Sequence, residues 1–284
     1  MAQFEVPEVD YTRYTNRQLA AIPVAILAVA LLVIAGWYVM TGAPVRLGIE
    51  FTGGTEVTVQ TQASQAEVRQ ALGFAESVTP VQASNSYIVT TQQTDAAAIE
   101  QAVQDAGYSV ESIQSRSASF AADSQQTALF GLLVAFAGMS LLVFALFRTF
   151  VPSIAVVLSA FSDIMIPLAL MNLLGIQLTL GTVAALLMLI GYSVDSDILL
   201  NNHILRRRGG FYESAYRAMR TGVTMTLTSI AAMTVMTIAA FLLGIPLLPE
   251  IGLVLVLGLS ADLMNTYLLN MSLLRWYKYE GVAR

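Results

Sequence analysis

Residues Leu178 to Leu205 read LTLGTVAALLMLIGYSVDSDILLNNHIL, an apolar stretch long enough to cross a bilayer as a helix. Just past its midpoint stand Asp195 and Asp197. A carboxylate near the bilayer centre costs roughly 2.5 to 3.5 kcal/mol on insertion scales, so the pair requires partners, water or a proton. On a helix the two are ~200° apart and point to different sides. Asp195 shares its side with Gly191, Tyr192, Leu199 and Asn202, whereas Asp197 has Ser193 and Asn201 one turn away, both able to hydrogen-bond it. The packing alternative is that such local bonds hold an acid neutral. Asp195, with poorer partners, is the stronger candidate for handling an ion.

The rest of the chain repeats this apolar character. Over 284 residues it is 56% hydrophobic and 12% charged, which excludes a soluble domain and indicates a polytopic membrane protein. The absence of Cys excludes disulfides and thiolate metal sites, and a single His argues against a His-ligated metal. Neither cofactor nor metal is expected. The first apolar run, from Leu19, lacks a small-residue cleavage site and reads as a retained helix. One Lys against thirteen Arg, with a net charge of -5, suits a high-salt habitat without bearing on function.

In chain order, residues 1–18 form a polar terminus and Leu19 to Met40 the first span, with Pro23 in its first turn and Trp37 and Tyr38 at its far end. Residues 41–126 turn polar and carry the pattern of a folded domain. Glu56 to Thr61 and Tyr87 to Thr91 alternate as strands, and Tyr108 to Ser115 reads as the last strand. Ser64 to Leu72 and Thr94 to Ala106 read as helices, the first opened by a Ser64–Glu67 capping box and the second by Thr94 as N-cap. The order strand, helix, strand, strand, helix, strand is that of a ferredoxin-like α+β module. Residues 127–274 hold five more spans, near Thr127 to Phe147, Val151 to Leu174, Leu178 to Leu205, Thr221 to Leu243 and Glu250 to Leu274, and residues 275–284 are the terminus. The fold class is therefore a six-helix membrane protein with one α+β domain between its first two spans.

Positive charge sets the orientation. A cytoplasmic N-terminus puts Arg13, Arg17, Arg148, Arg206, Arg207, Arg208, Arg217, Arg220, Arg275, Lys278 and Arg284 inside and only Arg46, Arg69 and Arg116 outside. Both termini are thus expected in the cytoplasm and the α+β domain on the exterior of the cell membrane. Arg206 to Arg208 reads as a stop and topology signal, not a nucleic-acid patch.

Asp163, near the middle of the third span, and Asp262, near the middle of the sixth, bring the intramembrane acids to four, with no Lys or Arg inside the membrane to balance them. Arg220, at the start of the fifth span, is the nearest cation. That span also carries a row of hydroxyls from Thr221 to Thr237, part of which is packing. Such acids suit a path for protons or for sodium, and the residue types do not separate the two ions. For Asp163 and Asp262 helix–helix hydrogen bonding is the alternative.

At this point the chain resembles SecF, the smaller half of the SecD–SecF protein-export complex in the RND superfamily. Gly48-Ile49-Glu50-Phe51-Thr52-Gly53-Gly54 is close to the family's G-I-D-F-T-G-G, with Glu50 in place of Asp. Phe147-Arg148 resembles its F-R turn, Ser162-Asp163-Ile164 its H-D-V without the His, Arg220-Thr221 its R-T, and Asn265-Thr266-Tyr267 its G-T-Y. Gly191-Tyr192-Ser193 matches, while Val194-Asp195-Ser196-Asp197 departs from the V/L-N-D form and leaves Asp195 and Asp197 as alternatives, Asp195 preferred. Asp262 has no counterpart. The resemblance implies pairing with SecD, work beside a SecYE-type translocon on exported polypeptides, and coupling to H+ or Na+ through Asp195 or Asp197 with Asp163 and Arg220; Asp262 joins the expected ion path by its place in the membrane alone. It also implies no enzyme activity. Gly53-Gly54 reads as a tight turn or a hinge. The rival readings are an RND-type small-molecule efflux subunit and an intramembrane aspartyl protease, the latter with Leu257 to Asp262 as only a near miss to its motif.

Overall fold

A computed structural model describes residues 10–81, 85–206, 210–245 and 247–281. Arg207, Arg208 and Arg284 of the topology argument lie outside the described residues. Among the described residues, six helices are long and apolar enough to cross a membrane. The chain is a multi-pass membrane protein.

Helix α1 spans Asn16–Thr41, opened by a Thr15–Gln18 capping box and closed by Gly42 in the left-handed conformation. A short helix, α2 (Ile49–Thr52), leads into β1 (Gly54–Gln60), α3 (Gln65–Ala71), β2 (Ser77–Val81), β3 (Ser86–Thr91), α4 (Ala96–Asp105) and β4 (Ser109–Arg116). The strands form one antiparallel sheet in the order β2-β3-β1-β4, with Val57 opposite both Val89 and Ile113. That is the ferredoxin-like order. Its core packs Val57, Val59 and Val89 against Val68 of α3, Leu72 at the end of that helix, and Ile99 and Val103 of α4.

Local caps explain the boundaries. The Ser64–Glu67 box is made in both directions, as expected. The second helix is capped by Asp95, not Thr94: the Asp95 carboxylate accepts from Ala98 N–H at 3.1 Å, and the helix starts two residues later than expected. Asp, with its charge at the helix N-terminus, outcompetes the neighbouring Thr hydroxyl.

Five further helical segments complete the bundle: α5 (Ala118–Phe147), α6 (Phe150–Leu174), α7 (Leu180–Arg206), α8 (Phe211–Leu242) and the sixth span. The last is composite, with α9 (Leu248–Met264) and α10 (Met271–Trp276) separated by a π-helical turn at Asn265–Asn270, and a second π turn at Tyr277–Gly281. Helix α5 starts ahead of Thr127 because Ser117 caps it, accepting from Phe120 N–H. Helix α8 starts ahead of Thr221 because Phe211, Ala215, Ala218 and Met219 form a buried stripe that packs on Leu200, Ile204 and Met271. Between α5 and α6, Arg148 takes the left-handed conformation (φ 54°), which makes the Phe147-Arg148 turn.

Helices α6, α7 and the sixth span form the buried centre of the bundle, around Ile164, Met171, Leu186, Ile190, Val254 and Leu255. Helices α1, α5 and α8 lie outside them with most of their apolar surface uncovered. Arg275 fastens the N-terminal segment to this bundle, donating to Tyr11 O and Tyr14 O, and Lys278 donates to Ile204 O near the end of α7.

Candidate functional site

The residues that meet at the centre of the bundle are polar ones on its three most buried helices. Asp163 on α6, Asp197 on α7 and Asp262 on α9 are each at most 1% exposed. Asp163 accepts at both oxygens, from Ser193 Oγ at 2.6 Å and Asn265 Nδ2 at 2.6 Å. Asp262 accepts from Ser196 Oγ at 2.9 and 3.1 Å. Asp197 Oδ1 accepts from Thr266 Oγ1 at 2.9 Å and Asn270 Nδ2 at 2.8 Å.

Thr266 ties the parts together. Its Oγ1 also stands 3.3 Å from Asp262 Oδ1 and 3.2 Å from Ser196 Oγ. A hydroxyl has one proton, so Thr266 can donate to Asp197 or to Asp262 at a given moment, not to both. Which acid it serves depends on which acid is protonated. The three carboxyls therefore form a network in which adding or removing one proton reorients its neighbours.

Among the described residues, nothing cationic enters it. Among the described residues the ion pairs are Arg13–Asp10 and Arg217–Glu213, both at the surface. Three fully charged carboxylates without a counter-ion are strongly disfavoured in so dry a place.

The structure separates the other expected residues from this network. Asp195 lies on the exposed side of α7 with Gly191 and Tyr192, and Arg220 is exposed on α8. Neither joins the buried cluster. The local bonds expected for Asp197 also go elsewhere: Ser193 crosses to Asp163, and Asn201 donates to Pro152 O at 3.4 Å. Same-helix spacing put both groups within reach of Asp197, and packing of α7 against α6 supplied other acceptors.

Asn265 and Ser196 entered the sequence reading only as members of motifs and Asn270 not at all, although a signal for their role was present. Asp262, Thr266 and Asn270 recur every fourth residue in an otherwise apolar span, as do Ser159 and Asp163 on α6. The π-helical turn at Asn265–Asn270 carries three of the partners, and such turns interrupt helices at functional sites.

A second arrangement connects this network to the α+β domain. Between α1 and α2 the chain runs alongside the α6–α7 connection: Leu178 N–H donates to Arg46 O at 2.7 Å and Gly48 N–H to Leu178 O at 2.9 Å, a parallel bridge. Asn172, near the end of α6, grips the same strap from both sides, donating to Pro44 O and accepting from Arg46 N–H. Phe51 is buried and its carbonyl accepts from Gln125 of α5. Gly53 (φ 75°) and Gly54 (φ 106°) then turn the chain into β1, and a Cβ on Gly54 would stand 2.3 Å from Thr91 O. The double glycine is thus a tight turn against β3. Glu50 lies within electrostatic reach of Glu56, and burial together with the Glu50 charge holds the Glu56 carboxyl above its usual range.

Residues 96–280 match the family model of the C-terminal region of SecD/SecF protein-export membrane proteins, and residues 38–65 match that of the SecD/SecF GG motif. A protein-export membrane protein SecF of Haloferax volcanii is 69% identical over 287 residues, covering 100% of both chains. One from Methanocaldococcus jannaschii is 36% identical over 278 residues, covering 93% of this chain and 96% of its own. Among solved structures, SecDF of Thermus thermophilus, described as a translocon-associated membrane protein, has a TM-score of 0.75 at 21% identity over 96% of this chain. That likeness is one of fold, and the chain spans 39% of the SecDF chain.

Proposed function

Because the chain belongs to the SecF family of protein-export membrane proteins, we propose that it is an accessory subunit of the Sec export machinery that works with SecD, using a transmembrane ion gradient to promote passage of polypeptides across the cell membrane. The observation that carries this reading is the buried network of Asp163, Asp197 and Asp262, cross-linked by Thr266 and, among the described residues, without a cationic side chain. Such groups are costly in a membrane and are kept where ions move.

The mechanism follows from the bonds. A proton or sodium ion arriving at the network changes which carboxyl Thr266 serves and how Asn265 and Asn270 are held. Because those three residues sit on the π turn of the sixth span and the acids on α6, α7 and α9, the change alters the packing of the three central helices. The strap carries it outward. Helices α6 and α7 are bonded through Asn172 and Leu178 to the segment that opens the α+β domain, so their displacement moves that domain. With the N-terminus in the cytoplasm, as the distribution of Arg supports, the domain stands on the exterior face, where it can hold or pull an emerging polypeptide. A partner half is supported by the SecDF chain being much longer than this one, and by Asp195, a carboxylate exposed on a membrane helix that SecD helices would cover.

The test is export in cells. Asp197→Asn and Asp262→Asn should each abolish the stimulation of secretion while membrane insertion and association with SecD persist. Normal secretion in both variants would overturn the ion-path reading, and loss of SecD association would make the acids structural.

A further inference from the structure

The three buried acids are not equivalent. Asp163 has a separate donor at each oxygen, and the single Ser196 hydroxyl lies 2.9 and 3.1 Å from the two oxygens of Asp262, its one proton shared between them. Asp197 is lopsided. Its Oδ1 takes two donors, Thr266 and Asn270, while Oδ2 is fully buried with no hydrogen-bond partner among the described residues.

The groups beside it have the same character. Asn270 spends its amide N–H on Asp197 Oδ1, and Asn201, one turn beyond Asp197, spends its own on Pro152 O; these bonds fix both side chains the right way round and leave their carbonyl oxygens unpartnered. The Ser159 hydroxyl faces Asp197 from α6 without a well-formed bond. Asp197, Asn201, Asn270 and Ser159 are all 0% exposed. Three of the four free atoms are pure acceptors, and acceptors do not satisfy one another. One proton on Asp197 Oδ2 would satisfy a single neighbour and leave the rest. A cation satisfies all of them together.

Resting on the ion-coupling reading above, we propose that Asp197 Oδ2, Asn201 Oδ1, Asn270 Oδ1 and Ser159 Oγ form a binding site for one dehydrated sodium ion between α6, α7 and the π turn of the sixth span. Hard oxygen donors suit an alkali or alkaline-earth cation rather than a transition metal. A single carboxylate among neutral oxygens favours a monovalent ion over Ca2+ or Mg2+, which gather more charge or retain waters. Few ligands on packed helices favour sodium over the larger potassium. Asp163, Asp262 and Tyr267, the other titratable groups near Asp197, shape the field without ligating. Sodium thus bridges three helices, and its arrival or departure is the packing change transmitted to the strap.

The full-length protein in lipid nanodiscs, titrated with NaCl against choline chloride at fixed ionic strength, tests this by thermal melting. The expected result is a saturable rise in Tm with Na+, reproduced by Li+ and not by K+ or choline. Asn270→Ala and Ser159→Ala should shift the half-saturating concentration upward by roughly tenfold or more, and Asp197→Asn should remove the response. Glu100→Gln, at an exposed acid on α4 of the α+β domain, serves as the control that keeps a sodium response. No sodium-specific shift in the unaltered protein overturns the site, with water or a proton then satisfying these oxygens, as does an undiminished response in Asp197→Asn. If the sodium response is present and depends on Asp197 while secretion is normal in Asp197→Asn, the site stands and the coupling reading fails; if the response is absent and secretion still needs Asp197, coupling stands with a proton as the ion.

Discussion

The Thr266 hydroxyl lies 2.9 Å from Asp197 Oδ1, and the same oxygen lies 3.3 Å from Asp262 Oδ1. Removing it without changing side-chain volume should break communication between the two acids. Thr266→Val is expected to insert and fold, at a cost of about 1–3 kcal/mol for leaving buried acceptors with fewer donors. It should lose most of the stimulation of secretion, whereas Thr266→Ser, which restores the hydroxyl, should retain it. Equal secretion by the Val and Ser variants, at matched protein levels in the membrane, would show that the bridge is packing only.

The Asn172 carboxamide predicts a mechanical defect of a different kind. It holds Pro44 O at 2.9 Å and Arg46 N–H at 3.1 Å, both on the strap. Asn172→Ala leaves those backbone groups to find water, a penalty of about 1–3 kcal/mol concentrated in one loop. Hydrogen exchange should rise at residues 43–48 and 176–178, with little change around Asp197. Secretion should fall although the ion network is intact. Unchanged exchange along the strap would mean that the parallel bridge at Leu47 and Leu178 suffices without the side chain.

Gly54 should tolerate no side chain. At φ 106° any other residue is strained, and its Cβ would meet the Thr91 carbonyl oxygen at 2.3 Å, so the start of β1 must shift away from β3. Gly54→Ala is expected to destabilise the α+β domain by at least about 1–3 kcal/mol. Limited proteolysis would show it as cleavage within residues 54–116 under conditions where the unaltered protein is resistant.

How much of this could be read beforehand depends on the range of the forces involved. The six spans, the capping box at Ser64 and the order of the α+β module follow from local hydrophobic runs and short-range hydrogen bonds, and they were legible. The cap at Asp95 was displaced by one residue because two adjacent residues compete for the same N–H groups. The expected site acids sort into a buried set and an exposed Asp195 through helix packing, which sequence periodicity on one helix does not fix. Ser193 illustrates this: its spacing points to Asp197, yet the structure gives its proton to Asp163. The strap was illegible for the same reason, since Asn172 and Arg46 meet across 126 residues.

Glu56 predicts a pH dependence outside the membrane. Burial first, and the Glu50 charge second, raise its carboxyl above the ordinary value in the folded protein. The folded state therefore binds this proton more tightly than the unfolded state. The associated stability is fully present below the unfolded carboxyl pKa and is lost as pH rises through the raised folded value. Glu56→Gln removes the titration. Thermal melts should show the variant gaining on the unaltered protein between mildly acidic and neutral pH, and matching it most closely at low pH. A constant difference across that range would remove Glu56 from the account.

Asp195 predicts where the partner sits. It is exposed on α7 alongside Tyr192 and Gly191, in the middle of a helix long enough to span the membrane. Lipid is a poor neighbour for a carboxylate at that depth, costing roughly 2.5 to 3.5 kcal/mol, so this side of α7 should face protein or a wet crevice between proteins. The absence of Cys makes the question accessible, because a single introduced thiol is then the only one in the chain. Gly191→Cys, one turn from Asp195 and with no atom within 4 Å of its new Cβ, should crosslink to a cysteine placed in the spans of SecD when the two are produced together. Val39→Cys on α1, 84% exposed, should not crosslink to the same SecD position. Crosslinking confined to the α1 site would put SecD on the opposite side of the bundle and leave the exposure of Asp195 without a protein to explain it.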